Sequence, residues 1–286
     1  MAKWFIVDVF SHLTIKPLIQ YIPMEISIII NNHKTRGLLK QCLKGIYLFP
    51  PSVPFEIIVV DNNSQDGSVE MVREKFPQVK LIASQQNLGH HKGNNLGIRN
   101  SAGKYAVIMN TDIAVLDDIF DRLYQFMEAH PEAALVGPKL KNPDGSIQSS
   151  CLRFPSVITP FYRRTFFGLL PGAKKKLDQY LMVDFSHEET RTVDWILGAF
   201  EMVRKSAIDQ VGLMDEYLYL YFGDVAWCLE FWRHQMPVYY FADANIVHYH
   251  KRESAGSGIW SKVFWIHIID WIKYLFKYGK YDVTRS

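Results

Sequence analysis

The sequence predicts an α/β chain organised on a doubly wound, mostly parallel sheet. Short apolar runs recur along it, helical patterns separate them, and polar clusters stand directly after the runs. The runs are EISIII (25–30), EIIVV (56–60), KLIA (80–83) and YAVIM (105–109). Unbroken apolarity over so few residues fits strands buried on both faces, as in parallel sheets. Helical patterns at about 36–48, 67–76, 91–100 and 117–129 supply the crossovers between strands. In such sheets ligands lie beyond the carboxyl ends of the strands, at the switch in strand order. The polar clusters NNHKT (31–35), DNNSQDGS (61–68) and NTD (110–112) fall at those ends.

Composition bounds the function. A chain of 286 residues with 48% hydrophobic and 21% charged residues can bury a full core. A net charge of +3 gives no case for a nucleic-acid partner. Cys42, Cys151 and Cys228 are far apart and lack CxxC spacing. They predict neither a disulfide framework nor a zinc site, and point to a reducing, cytoplasmic compartment. The N-terminal stretch 3–23 is apolar but interrupted by Asp8, Lys16 and Pro17. It is too broken to span a membrane and lacks the pattern of a secretory signal. Residues 1–23 therefore read as an extension ahead of the first strand.

A dinucleotide-binding domain would need GxGxxG after the first strand, and NNHKTR has no glycine. A P-loop is missing as well. Carboxylates instead collect where a nucleotide would lie, and they would repel a diphosphate unless a divalent cation stood between them. Mg²⁺ and Mn²⁺ take oxygen ligands and bridge carboxylates to phosphates. A metal-assisted nucleotide site is the expectation.

The ordered segments ISIIINNHKT, IIVVDNNSQDGS, NLGHHKGNNLGIRNSAGKYAVIMNTDI, VGPKLKNPDGSIQSSCLRFPS, VDWILGAFEMVRKSAIDQVGLMDEYLYLYFGDVAWCLEF and IVHYHKRES cover roughly residues 24–257. Together they resemble the family 2 inverting glycosyltransferases of the GT-A fold, in particular the bacterial rhamnosyltransferase-like branch. The resemblance implies a nucleotide-sugar-binding half (24–115) and an acceptor-binding half (116–257) of one Rossmann-like domain. It implies that Asp61 meets the imide N–H of a uracil or thymine, which suits an acceptor-only carboxylate. Asn62, Asn63, Ser64 and Asp66 read first as turn and cap residues, with Asn63 kept in the donor set beside Asn32, Asn87, His90, Asn94, Asn110 and Thr111. NTD occupies the place of the family's DXD motif, with Asn110 for its first aspartate. Asp112 and His248 are the implied ligands of Mg²⁺ or Mn²⁺, which would neutralise the diphosphate leaving group. His250 receives no role. Of the glycines at 89, 93 and 97, Gly97 reads as close helix–sheet packing.

The same resemblance places the catalytic base. Related enzymes carry an acidic pair after a Y-L-Y stretch, commonly Glu-Asp, with a further Asp two residues on. Here the segment is YLYFGDVAWCLEF (219–231). Asp224 is retained as the base, but Gly223 and Ala226 stand at the other two acidic positions, and Glu230 stands where a basic residue is commoner. Trp195 and Gly198, in DWILGAF, resemble the segment that lines the acceptor side; Trp195 reads equally as a stacking face or a core residue. The stretch 154–181 reads as a mobile loop or short helices near the acceptor, its basic clusters 163–164 and 174–176 reading equally as a solvated face.

The implied reaction moves a sugar, rhamnose from dTDP-rhamnose or another dTDP- or UDP-linked sugar, to a glycan or lipid-linked acceptor in cell-surface polysaccharide synthesis. The alternative is an impaired relative that binds sugar nucleotides or glycans within an assembly complex. By spacing alone, residues 258–286 form an amphipathic helix with Lys262, Asp270, Lys273, Lys277 and Lys280 on one stripe and aromatics elsewhere. Such a helix suits the inner face of the cell membrane. A helix docked on the domain, or a helix–helix contact in a homodimer, comes next.

Overall fold

The computed structural model describes residues 23–249 and 261–279. Residues 1–22 of the extension, His250 and Lys280 lie outside them. The first half alternates β1 (Ile26–Asn32), α1 (Arg36–Leu48), β2 (Phe55–Asp61), α2 (Ser68–Lys75), β3 (Lys80–Ala83), α3 (His90–Arg99) and β4 (Tyr105–Met109). There follow β5 (Ile113–Ala114), α4 (Ile119–Ala129), β6 (Leu135–Lys141), β7 (Cys151–Leu152), α5 (Thr159–Arg164) and α6 (Pro171–Tyr180). The chain continues through β8 (Arg191–Thr192), β9 (Trp195–Ile196), β10 (Phe200–Arg204), α7 (Lys205–Val211), α8 (Gly223–Arg233) and β11 (Val238–His248). A last helix, α9, covers Lys262–Tyr278.

Nine strands form one sheet in the order β3-β2-β1-β4-β10-β6-β11-β5, with β8 pairing β11. β1, β2, β3 and β4 are parallel, and β6 runs parallel to β11. β10 enters antiparallel between β4 and β6, tying the two halves of the chain into one sheet. After β3 the strand order reverses across β1, which opens a crevice at the carboxyl ends of β1 and β4.

Period-two geometry explains the unbroken apolar runs. Ile28 and Ile30 of β1 pack with α1, α2 and α4, while Ile29 packs on the opposite face with α3, α7 and α8. All three are fully buried, each contributing roughly 1.5–3 kcal/mol of transfer free energy. A Cβ on Gly97 would come within 2.3 Å of Ile29 Cγ2, so glycine lets α3 lie close against β1. The stretch 154–181 folds as short helices, α5 and α6 joined by a 3₁₀ turn.

Candidate active site

The parallel register of β1 and β2 sets Asn32 beside Asp61. Asn32 Nδ2 donates to Asp61 Oδ1 at 2.8 Å and to Ser64 Oγ at 2.9 Å. Its Oδ1 accepts from Thr35 Oγ1 at 2.7 Å, and Thr35 in turn pairs with Thr111 Oγ1 at 2.8 Å. Asp61 Oδ2 accepts the amide of Ser64 at 3.0 Å, so both carboxylate oxygens are engaged at the strand end. Asn62 staples the next loop: its Oδ1 accepts from the Leu88 amide and its Nδ2 donates to the Gly89 carbonyl. Asn63 adopts a left-handed φ of 57°, a conformation asparagine tolerates in tight turns. Asp66 binds the amide and hydroxyl of Ser68 with one oxygen and the Arg36 amide with the other, joining the starts of α1 and α2.

Beyond β4, Asn110 faces a cavity while Asp112 meets His248 at the end of β11. His248 Nδ1 lies 2.7 Å from Gln148 Oε1, an acceptor, so this nitrogen donates. Nε2 is then turned toward Asp112 Oδ1 at 3.4 Å. That oxygen is buried and has no hydrogen-bond donor among the described residues. A carboxylate oxygen and an imidazole nitrogen held this close are a donor set that fits a divalent cation. Among the described residues no group of three His, Cys, Asp or Glu side chains converges, so substrate oxygens and water would have to complete the shell. His90 lies close to this group. Enclosure by protein, reinforced by His91, pulls its imidazole down to about 3 against the opposing charge of Asp112, which keeps it neutral. Asn94 is buried and donates Nδ2 to His90 Nε2 at 3.1 Å, so it holds His90 from behind. Asn87 is exposed and bridges His33 Nε2 and the Gly89 amide.

The cavity, about 370 Å³, runs from Asn110, His90 and His248 to Asp224, Trp195 and Gly198. Asp224 opens α8. Its Oδ2 accepts the Gly198 amide at 3.1 Å and its Oδ1 the Val225 amide at 2.9 Å. A Cβ on Gly198 would stand 3.2 Å from Asp224 Cβ, so the bare wall lets this amide approach. Asp224 is reachable from the cavity but otherwise enclosed. Loss of water raises its carboxyl above the usual range, opposed by the Gly198 amide, the neighbouring His91 and the Val225 amide. Glu201 of β10 is fully buried, and neither of its carboxylate oxygens has a hydrogen-bond partner among the described residues. Burial, then the charge of Asp224, push it well up, so it stays protonated. Trp195 is both core and lining: it is 5% exposed, and its Nε1 donates to the Arg153 carbonyl at 2.8 Å. From α5 and α6, Pro160, Arg163 and Tyr180 also line the cavity.

Residues 27–178 match the family described as glycosyl transferase family 2, more than half of the chain. The chain belongs to glycosyl transferase family 2. It is 27% identical to the N-acetylglucosaminyl-diphospho-decaprenol L-rhamnosyltransferase of Mycobacterium tuberculosis, over 71% of this chain and 69% of that protein. It is 23% identical to the dTDP-rhamnosyl transferase RfbF of Shigella flexneri, over 67% of this chain and 59% of that one. Its fold is that of a mannosyltransferase from Pyrobaculum calidifontis solved with GDP-Man and Mn²⁺, at a TM-score of 0.55 and 17% identity, covering 91% of this chain and 72% of that one. The S. aureus TarS fragment 1-349 matches at a TM-score of 0.53 and 15% identity, covering 79% of this chain and 60% of that one.

The family match does not extend to α9, and here the packing departs from the spacing-based expectation. Asp270 is buried and accepts the amides of Tyr219, Leu220 and Tyr221 at 3.1, 2.8 and 3.0 Å. Lys273 donates to the Tyr217 carbonyl, and Lys277 pairs with Asp215 at 2.9 Å. The stripe's polar members on this side thus dock the helix on the domain, against the segment leading into α8. The surface turned outward is apolar: Trp265, Ile269, Ile272 and Phe276, the last 83% exposed. No described helix is long and apolar enough to cross a membrane.

His91, Gln148, Glu201 and Asp270 belong to this site or its support and were not singled out from sequence as such. Glu201 had a signal, a carboxylate inside the apolar run AFEMV, and His91 had the doublet HH. Gln148 had none, because its partner is 100 residues away.

Proposed function

We propose that this glycosyltransferase is an inverting, metal-dependent enzyme that moves rhamnose from dTDP-rhamnose to a lipid-linked saccharide at the cytoplasmic face of the membrane. The observation that carries this reading is Asp224, held by two amides on a cavity that also contains Asn110 and His248. In the proposed step an acceptor hydroxyl oxygen forms a bond to the anomeric carbon and its proton passes to Asp224. The bond from that carbon to the diphosphate breaks, and its electron pair leaves with the diphosphate. A carboxyl raised by enclosure is a stronger base than an exposed one, as general-base catalysis near neutral pH requires. Asp112 and His248 would hold Mg²⁺ or Mn²⁺, whose chemistry there is to neutralise the diphosphate charge. Asp61 would read the pyrimidine imide, with Asn32 fixing its carboxylate; Asn63, Asn87, His90, Asn94 and Thr111 would complete or brace the donor wall. Residues 24–115 would form the donor half and 116–257 the acceptor half.

The rhamnose and lipid-linked choices rest on the names of the mycobacterial and Shigella relatives. The outward apolar side of α9 supports contact with a bilayer surface, with a homodimer contact as the other use of the same face. A second reading, an impaired binder of sugar nucleotides, is favoured by Gly223 and Ala226, where related enzymes carry acids.

The test is a thermal-shift panel of dTDP-, UDP- and GDP-linked sugars with and without Mn²⁺, run beside transfer to polyprenyl-diphosphate N-acetylglucosamine. dTDP-rhamnose should give the largest shift, Mn²⁺ should enlarge it, Asp112→Ala should remove that enlargement, and product should form. Metal-independent binding unchanged in Asp112→Ala would refute the metal assignment. Tight donor binding without product would favour the second reading.

A further inference from the structure

His91 lies in the first turn of α3 and is 2% exposed, yet it lines the cavity. Its Nδ1 is 2.8 Å from the carbonyl oxygen of Leu218. A carbonyl only accepts, so Nδ1 carries the hydrogen, and the lone pair of the neutral ring is on Nε2. The position of Nε2 is marked by Gly223. A Cβ built on Gly223 would lie 2.1 Å from Nε2, 2.2 Å from Cδ2 and 2.5 Å from Cε1 of that ring. The imidazole therefore fills the volume that any side chain at 223 would enter. Gly223 has no left-handed φ, so its glycine serves space rather than backbone conformation. The next residue is Asp224, which lines the same cavity. The cavity thus presents two acceptor groups side by side, one from α8 and one from α3.

We propose that His91 is an acceptor-binding residue: its Nε2 accepts a hydrogen bond from a saccharide hydroxyl adjacent to the one that Asp224 deprotonates. The inference rests on the glycosyltransfer reading above and deepens it, specifying an acceptor that carries neighbouring hydroxyls. Neither carboxylate nor neutral imidazole nitrogen can donate, so the pair selects a diol-like edge over one bearing a single hydroxyl. An apolar group at the second position would leave Nε2 without its partner, which a buried polar site penalises. Glycine at 223 and histidine at 91 then form one unit, since either partner restricts the other.

The experiment measures transfer by the full chain to two saccharide acceptors, one intact and one deoxygenated beside the attacking hydroxyl. The proteins are the unsubstituted chain, His91→Phe, His91→Ala and the pair His91→Ala with Gly223→Glu. His91→Phe keeps the ring's bulk without its acceptor nitrogen. It should lower kcat/KM for the intact acceptor by about 10–100-fold while leaving the KM for donor unchanged. The deoxygenated acceptor should be poor for the unsubstituted protein and no poorer for His91→Phe. The pair should exceed His91→Ala alone, because a carboxylate at 223 regains an acceptor atom in the vacated volume. Thermal melting run alongside identifies any variant that folds badly, and if His91→Phe does, the pair against His91→Ala decides. Equal transfer by the unsubstituted protein and a folded His91→Phe overturns this proposal alone, as does a folded pair no faster than His91→Ala. No product from the unsubstituted protein overturns the glycosyltransfer reading and this proposal with it.

Discussion

At the ends of β1 and β2 the side chains of Asn32, Asp61 and Ser64 satisfy one another, whereas near the start of α8 the buried Glu201 carboxyl has no partner among the described residues. Asn32 spends its amide on Asp61, Ser64 and Thr35, and Thr111 closes the chain. Glu201, near Asp224, is fully buried with both oxygens unpartnered among the described residues, and Asp224 is held by backbone amides. The first cluster is internally hydrogen-bonded, with Asp112 Oδ1 beside it left without a donor among the described residues. The second holds groups whose protonation is set by enclosure, which costs stability and is retained where chemistry needs it. The two walls also differ in their support. The strand-end cluster is braced by bonds between neighbouring strand ends and loops, and the segment before α8 by α9, whose Asp270 gathers three of its amides.

The largest expected effect breaks the acceptor wall alone. Asp224→Asn is nearly isosteric and should leave donor affinity intact while reducing transfer by about 10²–10⁴-fold, the usual contribution of a positioned base. Product formation and donor binding measured on the same samples separate the two. If the missing acids at 223 and 226 had already disabled the site, the substitution would change little.

A smaller effect concerns the support. Asp270→Ala would leave the amides of 219–221 without their acceptor and should destabilise the fold by on the order of 3 kcal/mol. Urea unfolding would read this directly. Because those residues precede Phe222 and Asp224, transfer should fall more than donor binding does. An unchanged midpoint would mean that α9 is dispensable, and the contrast in support between the walls would fail.

The same contrast explains what the sequence made legible. The four parallel strands, their helices and the strand-end position of Asp61 and Asp112 follow from apolar runs and the polar residues that end them. These are local patterns, and the packed strands lie within two residues of the expected bounds. Other contacts of the site span long sequence separations: His91 with Leu218, Asn94 with Met214, His248 with Gln148. No period or motif in one segment announces such a partner. α9 shows the opposite failure. Its amphipathic pattern was visible, but the pattern alone cannot say which face is covered. Asp270 lies on the covered side because three backbone amides make burial of a carboxylate tolerable, and the apolar side is left outward.

The most direct test of the central claim, that Asp224 takes the acceptor proton, is the pH dependence of kcat/KM for the acceptor at saturating donor and metal. The carboxyl is raised by enclosure above the usual range, and the amides of Gly198 and Val225 and the neighbouring His91 oppose the shift without cancelling it. Only the deprotonated carboxylate can accept the proton. Transfer should therefore be full above that raised value and fall as pH drops through it, with the acid limb displaced upward from an ordinary carboxylate. A rate that stays flat through that window, with the protein still folded and donor still bound, would contradict the assignment of Asp224 as the base.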